Sequence, residues 1–153
     1  RVRRQRQMCI RDRFKGVHEN VVVEGEDVMR LVTLRSHDQY NTTIYAMDDR
    51  YRGVFGRRDV LFMNEQDMAA QGLEHGDRVD IHTALPDSEL TLEDITVVAY
   101  GIAPGTVGAY YPEANVLVPL NYLDEESGTP SYKSVPVRLT LRSKEIRPLA
   151  GGR

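Results

Sequence analysis

The nine residues from Arg35 to Thr43, Arg-Ser-His-Asp-Gln-Tyr-Asn-Thr-Thr, gather donors and acceptors in an unbroken row. Arg35 offers a planar fork for phosphate, and the hydroxyls of Ser36, Thr42 and Thr43 can turn toward oxygen acceptors. Gln39 and Asn41 carry amides suited to heterocycle edges, and Tyr40 adds a ring with a polar tip. If strand alternation ran through this stretch, Arg35, His37, Gln39, Asn41 and Thr43 would share one face, and Ser36, Asp38, Tyr40 and Thr42 the other. Neither face could join a core. The segment is therefore expected to leave its sheet and line a site for a large polar ligand; a solvated loop is the plainer reading of the same residues.

Two further stretches carry similar chemistry: Tyr-Tyr-Pro-Glu-Ala-Asn at 110–115 and Ser-Gly-Thr-Pro-Ser-Tyr-Lys at 127–133. Taken alone, Lys133 reads as a surface lysine, and Tyr110 and Tyr111 divide evenly between packing and ligand contact. Arg52, Arg57 and Arg58 read as a solvated turn in preference to a phosphate-facing patch. His37 beside Asp38 invites a metal or acid–base role. The four histidines, His18, His37, His75 and His82, share no ligand spacing, so no metal site is expected. No catalytic residue is assigned.

At 153 residues the chain suits about one domain with a sizeable core. With 41% apolar and 28% charged residues it has a soluble globular composition, and no apolar run reaches the ~20 residues of a spanning helix. No membrane partner is expected; this stretch shows no secretory leader, one on a longer parent chain would lie outside it, and a cytoplasmic location is the expectation. The first 13 residues hold six of the 20 basic residues and one of the 23 acidic ones, leaving 14 against 22 in the remainder. Such a basic arm could bind nucleic acid. Its run around Met8-Cys9-Ile10-Arg11-Asp12 instead resembles a translated sequencing-library transposase adapter, so 1–13 is set aside as non-native and no nucleic-acid partner is expected. Cys9 goes with it, which leaves no thiol for a disulfide, a zinc site or an iron–sulfur cluster.

Residues 14–28 read as a connector from upstream domains, and 143–153 as a tail. Between them, Met29 to Leu34 reads as a strand, Ile44 to Met47 as a short apolar return, and Asp59 to Met63 as a second strand. Asn64 suits a helix N-cap, with Glu65 and Asp67 in the first turn, Met68, Ala69 and Leu73 inward and Gly72 as terminator. A turn at Gly76-Asp77 leads into the strand Arg78 to His82, and a polar loop over Pro86 to Glu93 into the strand Ile95 to Tyr100. Val116 to Val118 reads as a short strand, and Val135 to Leu141 as a last one with Val135, Val137, Leu139 and Leu141 inward. About six strands and one or two short helices suggest a closed β-barrel with crossovers.

Three stretches in this order carry a resemblance: Leu-Arg-Ser-His-Asp-Gln-Tyr-Asn-Thr-Thr at 34–43, the helix, turn and strand at 64–79, and the pair at 110–115 and 127–133. Together they resemble the carboxy-terminal molybdopterin dinucleotide-binding domain of the molybdenum oxidoreductases, which include formate dehydrogenases, nitrate reductases and dimethyl sulfoxide reductase. Arg-Ser-His-Asp-Gln-Tyr-Asn-Thr-Thr followed by Asp-Asp-Arg-Tyr-Arg-Gly-Val-Phe-Gly looks most like the YdeP-type, formate-dehydrogenase-alpha-like branch. The middle stretch alone is unspecific, since other double-psi barrels share it.

The resemblance implies a mainly β fold with short helices over 29–142, a double-psi β-barrel of the aspartate-decarboxylase-like kind. It implies a bis(molybdopterin guanine dinucleotide) molybdenum cofactor held mainly by upstream domains of the same polypeptide, where any iron–sulfur cluster would also lie. By resemblance, Arg35, His37, Gln39 and Thr42, with Ser36, Tyr40, Asn41 and Thr43, contact pterin and pyrophosphate. Asn115, Tyr132 and Lys133, with Tyr111 from the same segment as Asn115, match positions at the other pterin and its phosphates. A multiply anionic ligand needs such cations and donors even in a chain of net negative charge. The rival readings are a stand-alone double-psi barrel that recognises a partner or substrate, and a self-processing decarboxylase, whose Gly-Ser cleavage pair this chain lacks.

Overall fold

The computed structural model describes Gly25 and residues 27–41, 46–124 and 126–144. The segment 1–13, nearly all of the 14–28 connector, Thr42, Thr43, Ile44, Tyr45 and the tail beyond Lys144 lie outside the described residues.

Six strands close into a barrel: β1 (Met29–Leu34), β2 (Val60–Met63), β3 (Arg78–Thr83), β4 (Thr91–Ala99), β5 (Thr106–Tyr110) and β6 (Val135–Ser143). Their order around the barrel is β1-β5-β2-β4-β3-β6. β1 runs parallel to β5 and β2 parallel to β4, while the other neighbours are antiparallel. Two parallel pairs joined by long crossovers are the double-psi arrangement expected from the resemblance.

β1 alternates because Met29, Leu31 and Thr33 face inward while Arg30, Val32 and Leu34 are half-covered. β2 does not alternate, since all four of its residues are buried. Leu61 and Met63 join the main core with Leu31, Val79, Ile81, Val97 and Val107. Val60 and Phe62 face a second cluster with Val54, Val98 and Tyr110, under the long β1–β2 connection. A strand covered on both sides reads as a continuous apolar run. Each such side chain, fully withdrawn from water, contributes roughly 1.5–3 kcal/mol.

The helix α1 (Glu65–Ala70) starts where Asn64 accepts a hydrogen bond from the Gln66 amide, and Gly72 ends it at φ +66°. Only six residues long, α1 turns Met68 inward and leaves Ala69 exposed, contrary to expectation.

Four other expectations are corrected. Val116 to Val118 is not a strand: Glu113–Leu117 forms a 3₁₀ turn that buries Ala114 and Leu117, three residues apart and on one side. The sixth strand is instead β5. The supposed polar loop before Ile95 belongs partly to β4, whose exposed arm from Thr91 pairs with His82 of β3. Leu141 is exposed, because from Arg138 onward β6 has pairing from β3 but none from β1. In the apolar return, the described residues Ala46 and Met47 are exposed.

Candidate functional site

The polar segment leaves the sheet where β1 ends at Leu34. Two backbone hydrogen bonds fix its departure: the Tyr111 amide donates to the Leu34 carbonyl (2.7 Å), and the Thr33 amide donates to the Tyr132 carbonyl (3.2 Å). The end of β1 is thus flanked by the two other segments with site-like chemistry. Between them lies a concavity of about 740 Å³ lined by Thr33, Arg35, Tyr111, Asn115, Tyr132 and Lys133, with Val118, Pro119, Leu120 and Pro130 completing its wall.

Arg35, Tyr111, Asn115, Tyr132 and Lys133, drawn from three stretches up to about a hundred residues apart, therefore share one hollow. Among the described residues no carboxylate lines it. Lys133 Nζ donates to the Thr33 carbonyl, with Thr33 Oγ1 at 3.4 Å, and lies 5.3 Å from the centre of the Tyr132 ring. Burial and the neighbouring positive charge of Arg35 both hold the Lys133 ammonium below its ordinary pKa. An anion placed between the two cations would reverse the second effect.

The rest of the segment is placed differently. Ser36, expected to face a ligand, is buried, and its hydroxyl accepts from Arg58 Nη1 (3.1 Å). The Gln39 amide donates to the carbonyls of Tyr111 (2.9 Å) and Asn41 (2.8 Å), and its oxygen accepts from Arg58 Nη2 (3.0 Å). His37 Nδ1 is 3.1 Å from Asp49 Oδ1; a carboxylate only accepts, so that nitrogen carries the proton. Tyr40 and Asn41 are exposed, and Asn41 adopts φ +50°, a conformation asparagine tolerates. None of these five lines the hollow. Thr42 and Thr43 lie outside the described residues.

The arginines read as a solvated turn are structural. Arg58 is buried and binds both carboxylate oxygens of Glu113 (2.5 and 3.2 Å) and the Tyr111 carbonyl (2.7 Å), with its guanidinium 4.7 Å from the Tyr110 ring centre. Arg52 Nη1 reaches Asp49 (2.6 Å) and the Arg35 carbonyl (3.0 Å). Arg57 binds Asp59 and Thr96. Sequence reasoning missed these roles because paired and solvated arginines look alike without long-range contacts. Asp49 is buried as well; burial alone would raise its pKa, but hydrogen bonds from Arg52, Tyr110 and His37 hold it below the ordinary carboxylate value.

Among the described residues no group of three or more His, Cys, Asp or Glu side chains could hold a metal ion, and no helix is long and apolar enough to cross a membrane. The described residues thus form a closed barrel with a hollow at the end of its first strand that gathers two cations and two tyrosines. Residues 29–136 match the family described as the Molydopterin dinucleotide binding domain, and the chain belongs to that family.

Its curated relatives are much longer. It is 52% identical over 114 residues to uncharacterized oxidoreductases of Mycobacterium bovis and Mycobacterium tuberculosis, covering 71% of this chain and 15% of theirs. It is 43% identical over 128 residues to protein YdeP of Escherichia coli K12, covering 82% of this chain and 17% of that one. The chain thus spans about one-sixth of these relatives. The fold also resembles acetylene hydratase from Pelobacter acetylenicus at TM-score 0.53 and 15% identity, covering 74% of this chain and 18% of that one.

Proposed function

We propose that this chain is the carboxy-terminal cofactor-binding domain of a formate-dehydrogenase-like molybdenum oxidoreductase, and that it binds bis(molybdopterin guanine dinucleotide) and closes the active site over it. The observation that carries this reading is the pair Arg35 and Lys133 in one hollow that no carboxylate lines among the described residues. Two cations suit the pyrophosphate, Tyr111 and Tyr132 offer faces for a heterocycle, and Asn115 and Thr33 supply edge partners. A volume near 740 Å³ is that of a pocket for one nucleotide-sized portion of such a cofactor. The remainder would be held by upstream domains of the same cytoplasmic polypeptide, together with the metal ligand and any iron–sulfur cluster. When bound, the molybdenum centre supplies the two-electron chemistry; the residues of this domain bind, orient and shield.

The fit of the donor set rests on this chain's own chemistry. Arg35 presents a fork that matches two phosphate oxygens, and Lys133 presents a point charge whose position is set by Thr33. The test is cofactor content. The complete polypeptide containing this domain, produced with Arg35→Ala or Lys133→Ala, is expected to retain less molybdenum and guanine nucleotide than the unaltered protein; equal content in all three would overturn the assignment.

A further inference from the structure

We propose that Arg58 is the positioning residue of this site, a buried brace that fixes the two walls of the hollow relative to each other. The inference rests on the reading of the hollow as the dinucleotide site. Arg58 does not line it. Its acceptors Ser36 and Gln39 lie on the segment that follows β1, and Tyr111 and Glu113 lie on the segment that follows β5. All four residues lie outside the strands. Arg35 belongs to the first of those segments, and Asn115 sits in the 3₁₀ turn that Glu113 begins.

The sheet ladder ends at Leu34 and Tyr110, so it does not set the spacing of these two segments beyond that point. Beyond it, Gln39 donates to the Tyr111 carbonyl, and one planar guanidinium with donors in a fixed fork ties Ser36 and Gln39 to Tyr111 and Glu113. Its central carbon lies over the Tyr110 ring, 4.7 Å from the ring centre, which limits the fork's freedom to swing. An ion pair that served stability alone would be replaceable by a well-packed apolar side chain. A brace is not replaceable in that way, because Met fills the space and removes the fork, leaving the Gln39–Tyr111 hydrogen bond to join the walls. Nor does Lys substitute, since a single ammonium cannot reproduce the fork.

The test uses the complete polypeptide with Arg58→Met, Arg58→Lys, Glu113→Gln and Arg35→Ala. Retained pterin and guanine nucleotide, the half-time of their release at raised salt, and the thermal midpoint are measured at a temperature where each variant is folded. Arg58→Met is expected to release the dinucleotide roughly tenfold faster, the scale on which loss of supporting partners acts. Arg58→Lys is expected to recover the thermal midpoint without recovering retention. Glu113→Gln, one-third exposed and so less costly to the fold, is expected to speed release as well. A purely structural role predicts that Arg58→Lys restores midpoint and retention together, and that result overturns the proposal. So does unchanged retention in folded Arg58→Met or, should that variant not fold, in Glu113→Gln, while Arg35→Ala loses the dinucleotide. If Arg35→Ala also retains it, the reading of the hollow fails first and takes the brace with it.

Discussion

The Tyr110 hydroxyl donates a hydrogen bond of 2.9 Å to the carboxylate of Asp49, and both residues are about 1% exposed. The same carboxylate oxygen accepts from Arg52, whose Nη1 also reaches the Arg35 carbonyl. A relay of polar contacts therefore connects the buried Tyr110, at the end of β5, to the backbone of Arg35. Tyr110→Phe keeps the ring and removes one donor to a buried charge. The expected loss is roughly 1.5–3 kcal/mol, read from urea unfolding; a change within the error of the midpoint would mean that the bond contributes nothing.

Acid should weaken the fold through two carboxylates. Asp49 and Asp59 are both pushed up by burial, yet their arginine partners and other donors outweigh this and depress them below 3.8. A depressed folded value means that the stability is fully present above the unfolded value near 3.8 and is lost as pH falls through the folded one. Thermal midpoints are expected to fall steeply below about pH 4. Asp49→Asn should be less stable at neutral pH and show a shallower acid slope; an unchanged slope would remove Asp49 from the explanation.

Lys133 offers a probe of the hollow that needs no bound cofactor. Its lowered pKa leaves more free amine at pH 8 to 9 than an ordinary lysine has, so acylation there reports its surroundings. Arg35→Ala removes the second cause of the lowering and should slow labelling of Lys133. Added pyrophosphate should slow it too, through charge pairing and shielding. Peptide mapping after brief labelling reads both effects, and an Arg35→Ala variant labelled at the parent rate would separate the two side chains electrostatically.

The end of α1 depends on a glycine. Gly72 adopts φ +66°, in the left-handed region, and nothing within 4 Å would obstruct an added methyl group. Gly72→Ala therefore meets backbone strain alone and is expected to cost about 1 kcal/mol. A thermal midpoint equal to the parent's would show that the helix end relaxes freely.

Much of this architecture was legible before any coordinates. Met29 to Leu34 and the capped helix at Asn64 follow from alternation and terminal residues, which are local properties. β5 was not legible, since Thr-Val-Gly-Ala-Tyr has a glycine where strands seldom want one. The reason for it is tertiary: a Cβ on Gly108 would lie 2.7 Å from Leu34 Cδ1 of the neighbouring parallel strand. Val116-Leu117-Val118 misled in the opposite sense, because three apolar residues suit a strand or one face of a tight turn equally well.

The site divides along the same line. The stretch after β1 looked uniformly ligand-facing, but polarity alone does not distinguish a side chain that meets a ligand from one that braces its neighbour. Ser36, His37 and Gln39 turned to buried or protein-bound partners, while Arg35 joined Asn115 and Lys133. Which way each points depends on Arg58 and Asp49, residues whose importance comes from contacts between connections distant in sequence.

The hollow draws its lining from residue 33 at one extreme and residue 133 at the other. A ribosome that has synthesised the chain only as far as Asn115 has made one bank of the cleft and not the opposite one. Lys133, and the strand just after it that zips against β1, complete the enclosure. On the proposed reading of the hollow, a dinucleotide meets both banks only after residue 133 has been added.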